Sequence, residues 1–154
     1  MRVTAKVDYA LRALVELAAA DGATVKGDRL AAAQGIPLKF LENILAELRR
    51  AGIVGSQRGA DGGYRLQRSA DTVNVADVIR AVEGPMALVR GERPEQVAYH
   101  GSAEPLMEVW VAVRAALRGV LSNVSLADIA TGDLPKHIKK LTAPEEAWVA
   151  PWFD

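Results

Sequence analysis

The chain contains no cysteine in its 154 residues. That absence removes disulfides, thiol nucleophiles and every cysteine-ligated metal or cluster site. Histidine is nearly as scarce, with only His100 and His137. No acid and base are paired at a recognisable spacing either, so the chain does not read as an enzyme. Net charge is zero, 19 basic against 19 acidic residues, which withholds the overall basic surface that nucleic-acid binders usually carry. No apolar run reaches the roughly 20 residues of a membrane-spanning helix. The first residues include Lys6, Asp8, Arg12 and Glu16, where a secretory signal needs an apolar stretch. These absences together predict a cytoplasmic protein with no membrane segment.

What is present is enough apolar material for one core, half of the residues being hydrophobic and a quarter charged. The most informative stretch runs from Ile36 to Leu66. From Leu38 to Ala51 the apolar residues Leu41, Ile44, Leu45 and Leu48 recur at helical spacing and form one stripe. Gly52 ends that helix. Ile53–Gln57 and Tyr64–Arg68 are two short strand candidates, joined by a turn whose Gly59, Gly62 and Gly63 permit positive φ and which carries Arg58. A helix followed by a small basic hairpin is the recognition half of a winged helix-turn-helix. The outer face of the helix holds Lys39, Glu42, Asn43, Ala46 and Arg50. Their side chains suit base edges and phosphates in a major groove, with Arg58 directed to the adjacent minor groove. Charge is placed accordingly: residues 39–68 hold six basic side chains (Lys39, Arg49, Arg50, Arg58, Arg65, Arg68) against Glu42, Glu47 and Asp61.

Five segments carry a family resemblance: MRVTAKVDYALRALVELA, LAAAQGIPLKFLENILAELRRAGIV, SQRGADGGYRL, VADVIRAVEG and LMEVWVAVRAALRGVLSNVSLADIA. In that order, over residues 1–132, the chain resembles bacterial transcription regulators of the Rrf2 family. The resemblance implies a mainly α fold with a small β-hairpin wing, and a long helix that pairs two subunits. The activity it implies is binding of double-stranded DNA as a homodimer at a palindromic operator, expected as repression. Positions matching the family's DNA contacts are Pro37, Lys39, Phe40, Glu42, Asn43 and Arg58. With Arg50 and the turn's Gly62 and Gly63 they form the candidate DNA-binding set. Phe40 lies at the edge of the buried stripe and reads as core ahead of DNA contact, since aromatic residues at helical spacing are more often core. Glu42 accepts from a cytosine amino group and repels phosphate, so it selects more than it strengthens. Many family members hold an iron–sulfur cluster through three cysteines in the loop after the fourth helix. This chain has none, so no cofactor is assigned.

The remaining segments divide the chain into a DNA-binding domain (1–84), a sensor-type loop (85–104), a dimerisation unit (105–132) and a C-terminal tail (133–154). Thr4–Ala20 is expected as a helix with Val7, Leu11, Leu14, Val15 and Ala18 inward. Val25 suits a short extended piece. Asp28–Gln34 is a short helix with Leu30 and Ala33 inward, ended by Gly35. Asn74–Glu83 opens on an Asn-x-x-Asp capping box. Residues 86–104 lack periodicity. Asp8, together with His100, Glu92, Glu95 and Glu104 of that loop, offers oxygen and nitrogen donors for another metal, but a lone histidine in an acidic loop is ordinarily solvated. Pro105–Val124 is expected as the longest helix, about 20 residues and roughly 30 Å. Its stripe of Leu106, Val109, Trp110, Val113, Leu117, Val120, Leu121 and Val124 suits the same helix of a second subunit. Ser125–Ala130 opens on a Ser-x-x-Asp box. The proline-rich tail reads as irregular, with Trp148, Trp152 and Phe153 docking on the dimer or marking a contact for another molecule. A small-molecule or protein effector is assigned to the 86–104 loop or the tail. The reading from another class is a dimeric winged-helix interaction module that does not read DNA, supported by zero net charge and the aromatic tail.

Overall fold

The structure, a computed structural model, describes residues 2–149. It is mainly α with one antiparallel hairpin. The order is α1 (Ala5–Ala19), α2 (Gly27–Gln34), α3 (Leu38–Arg50), β1 (Val54–Gln57), β2 (Gly63–Leu66), α4 (Val75–Glu83), α5 (Leu106–Leu121), α6 (Leu126–Thr131) and α7 (Lys136–Thr142). The hairpin pairs Val54 with Leu66 through Gln57 with Gly63.

Local chemistry sets the ends of these elements. The Thr4 hydroxyl accepts the Val7 N–H. Gly35 closes α2 in the left-handed region at φ 61°. Asn74 with Asp77, and Ser125 with Asp128, form reciprocal capping boxes at the starts of α4 and α6. At the second box the Ser125 backbone N–H and then its hydroxyl hold the Asp128 carboxyl below the usual carboxylate range.

One core gathers all of this. Its fully buried side chains include Leu14 and Leu17 of α1, Leu30 of α2, Leu41, Ile44, Leu45 and Leu48 of α3, Val78 of α4 and Leu126 of α6. The phase of α1 differs from the expected stripe. Its buried residues are Val7, Ala10, Ala13, Leu14 and Leu17, while Leu11, Val15 and Ala18 are only partly buried. Helices on several sides press against α1, and alanine is the residue that lets them approach closely. In α2 the inward pair is Leu30 and Ala31, whereas Ala33 is exposed.

Polar clasps reinforce the core from its rim. The Lys6 ammonium bridges Glu47 of α3 at 2.7 Å and the Val82 carbonyl of α4 at 2.7 Å. Arg12 donates to the Gln34 side chain and carbonyl and pairs with Asp8, fastening α1 to the end of α2.

The long helix is shorter than expected. α5 has 16 residues, ends at Leu121, and has no buried residue. Val124, expected in the dimerisation stripe, lies beyond the helix and is 7% exposed within the subunit. There its carbonyl accepts the Val75 N–H at 3.0 Å, and the Leu126 N–H donates to the Val73 carbonyl at 2.9 Å. These two bonds stitch the end of α5 onto the start of α4. The tail is also more regular than its prolines suggested, since α7 occupies Lys136–Thr142 and a 3-10 turn follows at Glu145–Trp148. Trp148 is 77% exposed and donates its indole N–H to the Thr142 carbonyl. Trp152 and Phe153 lie outside the described residues.

Leu126→Ala should therefore destabilise the whole domain by about 2–5 kcal/mol, measured by urea unfolding. A destabilisation under about 1 kcal/mol would remove α6 from the core.

Candidate nucleic-acid interface

Helix α3 is positioned by its two ends and its inner face. Gly35, the buried Ile36 and Pro37 make the turn from α2, with Pro37 standing as the N-cap of α3. A turn of that length between two helices is helix-turn-helix geometry. The inner stripe is buried to 1% exposure or less at all four positions. Lys39, Phe40, Glu42, Asn43, Ala46 and Arg50 are consequently all exposed on the outer face.

Two polar contacts sort the charges on that helix. Glu47 is neutralised by Lys6, and Arg49 reaches across to the Ser56 hydroxyl of β1 at 3.0 Å. What faces outward is then Lys39 and Arg50 against Glu42. Phe40 is not core: it is 41% exposed, with its ring edge-on to Tyr9 at a centroid distance of 5.7 Å. Its body covers α1 while part of it stays open to a ligand.

The wing is held by a third extended piece. Val25 and Tyr64 exchange both backbone hydrogen bonds at 2.8 Å, and the Thr24 hydroxyl donates to the Asp61 carbonyl. Val25 thus adopts the extended form its sequence suggested, with a consequence the sequence did not show: the start of α2 sits beside the wing tip. Gly63 has φ 153°, and a Cβ there would lie 2.6 Å from the Val25 carbonyl oxygen. Gly62 differs from the expectation. It is buried, its φ is not positive, and a Cβ would lie 2.3 Å from the Gln57 carbonyl oxygen. It shapes the turn from inside, so its part in the candidate DNA-binding set is to hold the form of the wing.

Arg58 is exposed on the wing, as is Arg65 on β2. Lys26 and Arg29 line a shallow cleft with Ala60, Asp61 and Gly62. Neither was singled out from the sequence, and the signal that finds them is the pairing of Val25 with Tyr64. Among the described residues Lys26, Arg29, Lys39, Arg50, Arg58 and Arg65 make no ion pair with a carboxylate. The α3 face, the wing and the start of α2 together carry these six uncommitted cations, which fit the phosphates of a duplex. An iron–sulfur cluster does not fit, because its thiolate ligands are missing from the sequence. Among the described residues no three His, Asp or Glu side chains are gathered where a metal ion could be held.

The helix pair and wing define the class, a winged helix-turn-helix DNA-binding protein. Comparison with known proteins narrows it. A family model described as Rrf2, iron-dependent transcriptional regulator, matches residues 3–132, and the chain belongs to that family. A Mycobacterium tuberculosis protein named as an HTH-type transcriptional regulator is 49% identical over 142 residues, 92% of this chain and 88% of that one. The HTH-type transcriptional regulator CymR of Bacillus subtilis is 33% identical over 132 residues, 85% of this chain and 91% of its own. Among solved structures, CymR, titled the global cysteine regulator of B. subtilis, superposes with a TM-score of 0.72 at 31% identity, covering 86% of this chain and 98% of that one. IscR of T. potens superposes with a TM-score of 0.67 at 32% identity, covering 97% and 93%. The chain is thus a DNA-binding transcriptional regulator and not an enzyme.

Gly62→Ala should cost about 1–3 kcal/mol by overpacking and speed amide exchange at Val25 and Tyr64. Gly59→Ala meets no atom within 4 Å and carries only the strain of φ 108°, so exchange at Val25 should stay slow. Equal exchange in the two variants would contradict the close approach described for Gly62.

Proposed function

We propose that the protein acts in the cytoplasm as a homodimeric repressor that reads a palindromic operator without an iron–sulfur cluster. The observation that carries this reading is the outer face of α3, with Lys39, Glu42, Asn43 and Arg50 exposed above a fully buried inner stripe and Arg58 standing free on the wing. Lys39, Arg50 and Arg58 supply charge for phosphates, while Asn43 and Glu42 discriminate base edges. Lys26, Arg29 and Arg65 extend the phosphate contacts along the same side. Arg58 is the side chain suited to the narrow minor groove.

The dimer reading rests on α5. Leu106, Met107, Val109, Trp110 and Val113 are each 38–49% exposed, a row of large apolar side chains that the subunit itself leaves open. A second copy packed about a two-fold axis covers them and sets two α3 helices one DNA turn apart. Leu117, Val120 and Leu121 are half-buried and continue the same row. A dimer seated across a promoter blocks access to it, which is the physical basis for repression. The rival reading, a winged helix that binds a protein instead of DNA, draws on the exposed Leu141 and Trp148 of the tail. It gives no role to the unpaired cations of the α3 face.

Selection of bound fragments from genomic DNA by the metal-free protein should recover a palindrome with half-sites about 10 base pairs apart. Lys39→Ala with Arg58→Ala should weaken that binding about uniformly across sequences and lower the salt slope by about one for each phosphate no longer neutralised. Binding unchanged in the double variant would favour the interaction module. In the same protein Val113→Glu should convert a dimer to a monomer in sedimentation equilibrium, and a mass unchanged from the parent would sink the assignment of α5.

A further inference from the structure

A cleft of about 370 Å³ lies between α4, the 85–95 segment and α5. Four arginines line it from three separate elements: Arg80 of α4, Arg93 of the loop, and Arg114 and Arg118 of α5. Glu95 is the one carboxylate in the wall among the described residues. Arg80 is held by Asp77 at 3.1 Å, and Arg114 by Glu95 at 2.5 Å. Arg93 and Arg118 make no carboxylate pair among the described residues. Met86 and Leu88 add an apolar side to the same wall.

Arg80, Arg93 and Arg118 are exposed and Arg114 is half-buried, so the cleft is open to solvent, and an anion entering it meets cations from three elements whose attractions add. Arg80 and Arg114 serve pairs within the subunit, whereas Arg93 and Arg118 have no such use among the described residues. Arg90 at φ 53° and Gly91 at φ 83° form the two-residue turn between the paired Val89 and Glu92, whereas Ala87 at φ 55° lies in the cleft wall itself. Non-glycine residues in the left-handed region persist where the surroundings impose them, and they cluster at ligand-holding segments.

We propose that this cleft binds a small dianionic oxyanion, a metabolite bearing a phosphate or a pair of carboxylates, as the regulator's effector. Planar guanidinium forks match either headgroup, and the volume is that of a metabolite site. Glu95 acts as an internal stand-in: its carboxylate occupies Arg114 until the ligand displaces it. The bound anion joins Arg80, on the helix packed against α3, to Arg114 and Arg118 on α5. It therefore ties the DNA-reading unit to the proposed dimer helix and favours one relative setting of the two. The effector role rests on the DNA-reading proposal above, while the binding site itself does not.

The test is calorimetric titration of the full chain, without DNA, at pH 8 and constant ionic strength, with inorganic phosphate and with succinate as probes. Saturable binding of at least one probe at one equivalent per chain is the expected result, and the tighter probe identifies the headgroup. Arg93→Ala with Arg118→Ala should weaken it at least about tenfold, and Glu95→Gln should tighten it about tenfold. Lys39→Ala with Arg58→Ala should leave it unchanged. Absence of saturable binding for both probes overturns the site, as does binding insensitive to the cleft substitutions or abolished instead by those on α3 and the wing. Because no DNA is present, a failed titration is distinct from a failed operator selection.

Discussion

Everything that the outer face of α3 can do depends on the burial of its inner one. Leu41, Ile44, Leu45 and Leu48 leave almost no surface in water, and each buried side chain of this kind contributes roughly 1.5–3 kcal/mol. That stripe fixes the rotation of α3 about its own axis. A helix turned 100° out of phase would carry Lys39 or Asn43 inward and a leucine outward. The anchorage continues without a break into the wing, since Ile53 and Val54 are buried in the same cluster. Helix and wing are consequently one rigid piece, and the Lys6 bridge to Glu47 and the Val82 carbonyl locks that piece against α1 and α4.

The second half of the chain is fastened to this piece at two places. Val124 and Leu126 pair with Val75 and Val73 through backbone hydrogen bonds, and the side chain of Leu126 enters the core. α5 therefore cannot tilt freely with respect to α4. Its other side carries the exposed apolar residues Leu106, Val109, Trp110 and Val113, and its Arg114 and Arg118 line the cleft shared with α4. In the proposed dimer, a ligand in that cleft would act on a joint already stiff at one end, the arrangement that converts a small local shift into altered spacing between two reading heads.

Zero net charge is reconciled with DNA binding by how the charges are placed. Several carboxylates are consumed in intramolecular pairs, as Glu47 is by Lys6, Asp77 by Arg68 and Arg80, and Glu95 by Arg114. The cations around α3 and the wing are left uncommitted. A whole-chain sum hides this, because the field a duplex meets is set by the nearest charges within a screening length.

Elements governed by neighbouring residues were legible in the sequence. Both capping boxes, the left-handed Gly35, the α3 stripe and the two wing strands follow from interactions within a few positions along the chain, so their signals survive without a fold around them. Much of the candidate interface was legible for the same reason: once the α3 stripe is phased, its outer face is known. Tertiary packing decided what local signals could not. Ala10 and Ala13 became core because neighbouring helices crowd α1, and a rule that favours large apolar residues passes over them. Phe40 stayed half exposed because Tyr9 meets its edge. Gly62 turned inward because the hairpin backbone closes over it, and α5 stopped at Leu121 while Val124 was drawn onto α4. The start of α2 beside the wing, and the four arginines around one cleft, arise from residues far apart in the chain. Only the folded arrangement brings them together, since no local interaction encodes a distance between them.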